Sequence, residues 1–283
     1  MSNKIAVVTG ASSGFGLLCS IELAKNGFHV LATMRDSKKS TELLETAKQQ
    51  NVAQQLTIHT LDVTSSKSIK EFKSNLLQYP TIDVLVNNAG FALGGFSEEV
   101  SVEEYRLQFE TNFFGVISIT QEILPIMRSQ GYGRIINMSS ISGKIGFPGL
   151  SPYVASKHAL EGYSESLRLE LIPFGIDVVL IEPGSYATKI WSIVDKIKID
   201  LESPYKSYLT GIINEIETGK TKHGNPLDVA KLVALIASDR KRPRFRYPIG
   251  NGVKSTIRLK SLLPWEAIER IILKKIGSKL DNK

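Results

Sequence analysis

Short apolar runs alternate with longer amphipathic segments through the first two thirds of the chain. The first run, KIAVVT at residues 4–9, ends in a glycine-rich turn, and an amphipathic segment follows it. Apolar runs of this length, bounded by turn residues, are typical of buried strands. The pattern predicts six strands, at residues 4–9, 29–34, 56–61, 84–86, 134–138 and 177–181. Helices are predicted between them, at residues 14–26, 38–50, 65–79, 102–128 and 152–171.

The predicted strands are apolar nearly throughout, and most are followed by a helix. Strands of this kind are buried on both faces, which favours a parallel sheet covered by helices on either side. We therefore expect an α/β fold, a doubly wound parallel sheet (Rossmann-like) with helices on both faces and a C-terminal helical extension. Residues 1–250 are expected to form one domain, and residues 251–283 a basic extension of that domain. Ligands of such folds bind beyond the carboxyl ends of the strands.

The extension has a periodic pattern of its own. Residues 246–250 are a candidate last strand, and residues 264–277 place an apolar stripe on one face of a helix. The stripe consists of Trp265, Ile268, Ile271, Ile272 and Ile276. Three interpretations stay open: the helix covers a substrate cleft, packs on a partner subunit, or lies on an anionic membrane.

The formal net charge of +7 is unevenly placed. Residues 239–283 hold 13 Lys/Arg against 4 Asp/Glu, a net +9, which leaves −2 for the rest of the chain. A basic segment can bind nucleic acid or an anionic membrane. No nucleic-acid motif accompanies it, so we interpret it first as solvated surface and expect no nucleic-acid partner.

Other features bear on the setting of the protein. No stretch approaches the roughly 18 consecutive apolar residues of a membrane span, and a strand beginning at residue 4 leaves no room for a signal peptide. The single cysteine, Cys19, excludes an internal disulfide, and only four histidines argue against a metal site. We expect a cytoplasmic protein without a bound metal.

The turn after the first strand carries three glycines, at positions 10, 14 and 16. The spacing differs from the GxGxxG dinucleotide fingerprint, but the same physics applies. One glycine makes the turn, one lets the backbone approach a pyrophosphate, and one lets the helix pack on the strand. The helix N-terminus then points unpaired N–H groups at the phosphates. The residues of this turn predicted to bind a dinucleotide are Gly10, Ser12, Ser13, Gly14, Phe15 and Gly16.

The end of the second strand, Thr33-Met34-Arg35, indicates which dinucleotide is bound. A site for NAD would place an acidic residue here to accept from the ribose 2′-OH, whereas an arginine would clamp a 2′-phosphate. We therefore predict that NADP(H) is preferred over NAD(H), with Ser13 assisting Arg35. Two alternatives stay open: Arg35 as an exposed strand-end cation, and Asp36 as the partner of a 2′-OH.

Polar residues also follow the third and fourth strands. Asp62, with Val63 beside it, is placed to accept from an adenine amino group, or to cap the next helix as an ordinary turn aspartate. Asn88, Ala89 and Gly90 suit a tight backbone next to the ligand, although they also suit an ordinary turn.

Tyr153 and Lys157 lie four residues apart on one predicted helix, so they share a face. A free tyrosine has a pKa near 10, and lowering it to about 7 requires about 4 kcal/mol. An ammonium about 5 Å away supplies about 3 kcal/mol if the pair is partly sheltered, and the positive nicotinamide ring of an oxidised cofactor can add the remainder. Ser140, at the end of the fifth strand, would donate to the substrate oxygen.

Together these motifs resemble the short-chain dehydrogenase/reductase family, in its short, non-extended branch. The resemblance covers about residues 4–240 and rests on Thr9-Gly10-x-x-x-Gly14-x-Gly16, Asn87-Asn88-Ala89-Gly90, Asn112, Ser140, Tyr153-x-x-x-Lys157 and Pro183-Gly184-x-x-x-Thr188. Residues 30–36 and 244–250 are similar to 17β-hydroxysteroid and retinol dehydrogenase-like members.

The resemblance implies a role for each residue of the set. Tyr153 would be the acid/base, Lys157 would bind the nicotinamide ribose and lower the pKa of the tyrosine, and Ser140 would orient the substrate. Asn112 would hold a water that relays protons from Lys157. The segment after the sixth strand would add Pro183, Gly184, Tyr186 and Thr188 to the cofactor site.

These observations predict an NADP-dependent oxidoreductase that interconverts a secondary alcohol and a ketone or aldehyde. The alternative is a protein that senses NADP(H) without turnover. A lipophilic substrate is expected because the residues near the site are largely apolar: Leu93, Phe96, Ile141, Phe147, Leu150, Tyr186 and Trp191. A homodimer is expected if the extension occupies the edge used for tetramer assembly, and membrane association is the lesser alternative.

Overall fold

The computed structural model describes residues 4–188, 202–219, 221 and 223–275. Seven strands form one parallel sheet in the order β3-β2-β1-β4-β5-β6-β7. The strands are β1 Lys4–Val8, β2 Phe28–Met34, β3 Leu56–Thr60, β4 Val84–Asn87, β5 Gly133–Met138, β6 Ile176–Pro183 and β7 Arg246–Ile249. The strand order reverses between β1 and β4, and a ligand crevice is expected at this point.

Helices connect the strands. In the described part of the chain they are α1 Gly14–Lys25, α2 Thr41–Gln49, α3 Ser66–Leu76, α4 Val102–Phe109, α5 Gly115–Gln130, α6 Ser151–Leu171, α7 Lys206–Gly219, α8 Pro226–Ser238, α9 Val253–Leu262 and α10 Trp265–Lys275. None of the helices in these ranges is long and apolar enough to cross a bilayer.

The sheet buries apolar side chains on both faces. On β1, Ala6 and Val8 pack into one core with α1 and α8, whereas Ile5 and Val7 pack into a second core with α3 and α5. Successive side chains of a strand point to opposite faces, so a strand between two helical layers must be apolar at every position. The predicted doubly wound fold is therefore confirmed, and its candidate last strand is β7, paired in parallel with β6.

The helices differ from the prediction in two ways. The continuous helix at residues 102–128 is divided into α4, a π-helical segment Glu110–Phe114, and α5. The second half of the chain also holds α7, α8 and α9, which were not predicted. In α8 the sequence LVALIA has no clear polar periodicity, because side chains on several sides of this helix are buried.

Candidate active site

The glycine turn lies between β1 and α1, where the strand order reverses. Gly10 and Gly14 have positive φ values of 68° and 57°, a conformation that favours glycine. At Gly16 the constraint is space, because a Cβ there would lie 2.3 Å from the carbonyl oxygen of Gly10. Three glycines are therefore required, two for backbone conformation and one for close approach.

Hydrogen bonds connect the residues after β4 to this turn. Thr9 Oγ1 accepts hydrogen bonds from the backbone N–H groups of Asn88 and Ala89, at 2.9 and 3.0 Å. The Asn88 amide donates to the carbonyl oxygens of Thr9 and Gly10, at 2.8 and 3.2 Å. Asn88 thus shapes the turn through its side chain. Gly90 lies close to Asn112, because a Cβ at position 90 would be 3.1 Å from Asn112 Oδ1.

The first turn of α1 suits a dinucleotide pyrophosphate. Its N-cap residue, Ser13, is extended and makes no side-chain cap hydrogen bond, so the leading N–H groups of α1 remain available to a ligand. A Cβ at Gly14 would meet only Thr188, at 3.9 Å. Phe15 packs edge-to-face against Tyr186, with ring centroids 5.6 Å apart. Ser12, next to the cap, is half-buried. The residues present fit a dinucleotide cofactor.

At the end of β2, Met34 is buried and Arg35 is exposed. Within the described residues Arg35 makes no ion pair. Asp36 is occupied as an N-cap, because its Oδ1 accepts from the backbone N–H of Lys38 at 3.0 Å. Both alternatives for this position, a cation for a 2′-phosphate and a carboxylate for a 2′-OH, stay predictions.

Asp62 organises the turn after β3. Its Oδ1 accepts from both the backbone N–H and the hydroxyl of Thr64, at 2.9 and 2.7 Å, while Ser65 caps α3. Val63 is buried against Gly115, where a Cβ would lie 2.7 Å from Val63 Cγ2. Asp62 is therefore a turn residue, but the prediction that it caps the next helix is wrong because Ser65 does so. Its adenine contact stays a prediction.

Tyr153, Ser140 and Lys157 come together at the carboxyl end of β5. All three are buried, at 8%, 8% and 7% exposure. Ser140 is close enough to Tyr153 to lower the pKa of the phenol, and Ser140 Oγ accepts from the Ser142 N–H at 3.1 Å. Lys157 Nζ lies 5.7 Å from the centroid of the Tyr153 ring and donates to the carbonyl oxygen of Met138 at 2.7 Å.

The pKa values of Tyr153 and Lys157 both depend on their burial. Burial raises the pKa of Tyr153 to about 12, although the hydrogen bond with Ser140 lowers it. Burial also lowers the pKa of Lys157 to about 8, against the raising effect of Glu161. Burial disfavours the charged phenolate, so Tyr153 without a cofactor is a proton donor at neutral pH. The lowering of its pKa by Lys157 together with a bound nicotinamide stays a prediction.

Asn112 lies in the π-helical segment between α4 and α5 and is 1% exposed. Its side chain donates to the Phe91 carbonyl at 2.9 Å and to Ser156 Oγ at 3.3 Å, and accepts from the Phe91 N–H at 3.1 Å. π-Helical segments are frequent at functional sites. Asn112 thus fastens the loop after β4 to α6, and the proton-relay role stays a prediction.

The site opens into a cavity of about 430 Å³. Four predicted pocket residues line it, namely Ile141, Phe147, Leu150 and Tyr186. Leu93 and Phe96 are not among its lining residues. Phe96 instead stacks on Tyr205, with ring centroids 4.4 Å apart. Trp191 and Ile276 lie outside the described residues.

The C-terminal extension supplies a wall of the cavity, and three residues of its predicted apolar stripe belong to that wall. Its lining residues are Thr256, Leu259, Lys260, Ile268, Ile271 and Ile272. Helix α7 adds Ile212 and Ile216, whose spacing of four residues was a usable but overlooked amphipathic signal. Of the three interpretations of the extension, the structure favours the one that covers a cleft. Trp265 does not join this wall and is half exposed.

The segment after β6 runs along the same cavity. Pro183 is buried, and the Gly184 N–H donates to the Ile249 carbonyl at 2.9 Å. Pro183, Gly184, Tyr186 and Thr188 all line the cavity together with Phe15, Ser140 and Tyr153. The predicted cofactor residues of this segment therefore line the same cavity as the predicted catalytic residues Ser140 and Tyr153.

The comparisons with known proteins agree with this geometry. The family model for short chain dehydrogenase matches residues 4–197. The chain belongs to this family and is an oxidoreductase of the short-chain dehydrogenase/reductase type. It is 50% identical over 281 residues to an uncharacterized oxidoreductase of Bacillus subtilis, with 98% of this chain and all of that protein covered.

Two further relatives and one solved structure are informative. The chain is 36% identical to a 3-ketodihydrosphingosine reductase of Bacteroides thetaiotaomicron, covering 93% of this chain and 94% of the relative. It is 40% identical to retinol dehydrogenase 8 of Homo sapiens, over 66% of this chain and 60% of the relative. A variant of actinorhodin polyketide ketoreductase solved with NADPH is 30% identical, with a TM-score of 0.77 over 89% of this chain and 97% of that one.

Proposed function

We propose that this protein is an NADP(H)-dependent oxidoreductase that interconverts a lipophilic secondary alcohol and its ketone or aldehyde, with Tyr153 as the acid/base. The observation that carries the proposal is the buried contact between Ser140 and Tyr153 at the wall of the cavity, with Lys157 behind the ring. In this arrangement Tyr153 holds a proton for a carbonyl oxygen, and Ser140 donates to the same oxygen.

The glycine turn, the open N-terminus of α1 and the segment from Pro183 to Thr188 would hold the nicotinamide cofactor, which supplies or accepts the hydride. The preference for NADP(H) is supported by Arg35 at the end of β2 and by Asp36, which is already used as a cap. The ketoreductase relative with NADPH supports a nicotinamide cofactor of this kind.

A lipophilic substrate is supported by the aliphatic walls of the cavity. The 3-ketodihydrosphingosine reductase relative, whose name indicates a ketone on a long alkyl chain, matches 93% of this chain. We further propose a cytoplasmic homodimer of single-domain subunits. Exposed apolar residues on the helices support association: Leu107, Phe114 and Leu169.

The test is a panel of ketones, aldehydes and steroids assayed with NADPH and NADH in parallel, on wild type and Tyr153→Phe. We expect turnover of lipophilic carbonyls with NADPH, and a loss of about 10²–10⁴-fold in kcat on removal of the acid. Tight NADPH binding without turnover across the panel would favour the sensing alternative. Near-normal turnover by Tyr153→Phe would overturn the role of Tyr153.

A further inference from the structure

Three consecutive residues at the end of β5 contact three successive turns of α6. The Met138 carbonyl accepts from Lys157, the Ser139 hydroxyl donates to Glu161 Oε1 at 2.5 Å, and Ser140 lies near Tyr153, whose pKa it lowers. Because the α6 partners are spaced four residues apart, they lie on one face of the helix. Two of the three pairs belong to the site described above, and the third ends on Glu161.

Glu161 is held from several sides although it is only 4% exposed. Arg246 Nε donates to its Oε2 at 3.1 Å, and Lys144 Nζ lies 3.7 Å from the same oxygen. Gly143 packs closely against this part of α6, because a Cβ at Gly143 would lie 2.9 Å from Glu161 Cγ and 3.1 Å from the Lys157 carbonyl oxygen. The orientation of this carboxylate is therefore fixed relative to the backbone of Lys157.

A second carboxyl group belongs to the cluster. Glu182 is 2% exposed, and its Oε1 lies 3.3 Å from Arg246 Nε. Burial first, and then the charge of Glu161, raise the pKa of Glu182 to about 7, against the lowering effects of Lys144 and Arg246. The charge of Glu161 thus acts on two buried groups, because it raises the pKa of the Glu182 carboxyl and that of the Lys157 ammonium. Glu165 also contacts Arg246, at 3.1 Å, but its side chain is 63% exposed.

We infer that Glu161 is a positioning residue, which keeps the buried Lys157 ammonium charged and holds the end of β5 in register with α6. This role rests on the proposed function of Tyr153 and Lys157. A buried ammonium loses solvation, and a buried carboxylate one helical turn away compensates part of that loss. Lys144 and Arg246 in turn neutralise part of the charge of Glu161, so each should weaken its effect on Lys157.

The test is a titration that needs neither cofactor nor substrate. The full-length protein is labelled with [¹³Cε]lysine, and the Lys157 resonance is assigned by its loss in Lys157→Arg. In Glu161→Gln, which keeps the shape of the side chain, we expect Lys157 to titrate at least one pH unit lower, a tenfold change in its proton affinity. The matched control is Glu170→Gln, an exposed carboxylate further along the same helix, which should leave the titration unchanged. An unshifted Lys157 in folded Glu161→Gln overturns the inference.

A second variant keeps the test decisive if Glu161→Gln folds poorly. Lys144→Gln removes a cation near Glu161 from a side chain that is 28% exposed, and it should move the Lys157 titration upward. This variant keeps Glu161 and its hydrogen bond with Ser139, so it tests the same group of charges in a protein whose β5–α6 contact is intact. An unchanged Lys157 titration in folded Lys144→Gln also overturns the inference.

The enzymatic readout separates this inference from the proposed function. For carbonyl reduction with NADPH, the basic limb of kcat/KM should move down by at least one pH unit in Glu161→Gln, while the KM for NADPH stays within threefold. A purely structural Glu161 would lower Tm without moving either titration, which contradicts the inference. A shifted Lys157 in a protein that reduces no carbonyl would support the inference and reject the proposed function.

Discussion

The Lys157 ammonium is hydrogen-bonded at 2.7 Å to the carbonyl oxygen of Met138, two residues before Ser140. The contact ties α6 to β5 and turns the charged end of the lysine beneath the Tyr153 ring, with 5.7 Å from Nζ to the ring centroid. Lys157 thus contributes both a hydrogen bond to the strand and a positive charge near Tyr153. Its protonation state should control the activity of the site.

This relationship gives a pH prediction. Burial lowers the pKa of Lys157 to about 8 and raises that of Tyr153 to about 12. The cation is therefore present below about pH 8 and lost above it, while the phenol keeps its proton throughout. We expect kcat/KM for carbonyl reduction to be level from about pH 6 to 7.5 and to fall about tenfold per unit above pH 8. Steady-state kinetics in buffers of constant ionic strength measure the profile.

Lys157→Arg is the control for this assignment. An arginine stays protonated over the whole range, so the residual activity of this variant should lack the basic limb. A wild-type profile that stays level to pH 10 would contradict the assignment to Lys157.

The glycine turn gives a prediction about space. In Gly16→Ala the new Cβ would lie 2.3 Å from Gly10 O and 2.4 Å from Asn88 Nδ2, so the turn must shift. Overpacking of this kind costs about 1–3 kcal/mol, which corresponds to a fall in Tm of roughly 2–12 °C for a domain of this size. Displacement of the turn should also weaken NADPH binding at least tenfold, as measured by fluorescence titration.

Gly162→Ala provides the matched comparison. Gly162 is an exposed residue of α6, and a Cβ there would meet nothing within 4 Å. Alanine in a helix interior is favoured over glycine by roughly 0.5–1 kcal/mol, so this variant should be slightly more stable and bind NADPH normally. Equal behaviour of the two alanine variants would show that the turn has room to adjust.

Arg35→Ala tests the choice of cofactor. If the guanidinium binds a 2′-phosphate, its removal costs about 1.5–3 kcal/mol, since hydrogen bonds to charged groups are worth this much. The Kd for NADPH should rise about 10–100-fold while the Kd for NADH stays within twofold. Lys39→Ala, an exposed cation in the same turn, should change neither value. A similar loss for both cofactors would assign Arg35 a structural role instead.

The order of the first six strands and of the helices between them was predictable because each depends on a local pattern. An apolar run such as residues 4–9 must be buried on both faces, and this requirement is visible in the sequence itself. The spacing of Tyr153 and Lys157 likewise follows from helix geometry alone. These local constraints were sufficient to locate the glycine turn and the residues that face it.

Features that depend on distant contacts were not predictable in this way. The contact between Arg246 and Glu161 joins positions 85 residues apart, and the pKa of Tyr153 depends on burial by the assembled fold. The π-helical segment at Asn112 depends on what its side chain meets in the loop at Phe91. One feature of the sequence does point to Glu161, because it continues the four-residue spacing of Tyr153 and Lys157 along the same face of the helix.

The cavity wall formed by α10 gives the last prediction. Ile272 lines the cavity and is half-buried, so an alkyl chain bound there would cover its side chain. Ile272→Ala should remove about 1–2 kcal/mol of apolar contact, at about 25 cal/mol per Å² of buried area. The KM for a long-chain ketone should therefore rise about 5–30-fold, while the KM for a ketone of four carbons stays within twofold. The control is Leu262→Ala, because this residue of α9 is 80% exposed and is not among those that line the catalytic cavity. An equal rise for both ketones would mean that α10 supports the site as a whole, and an unchanged KM for both would place the alkyl chain elsewhere in the cavity.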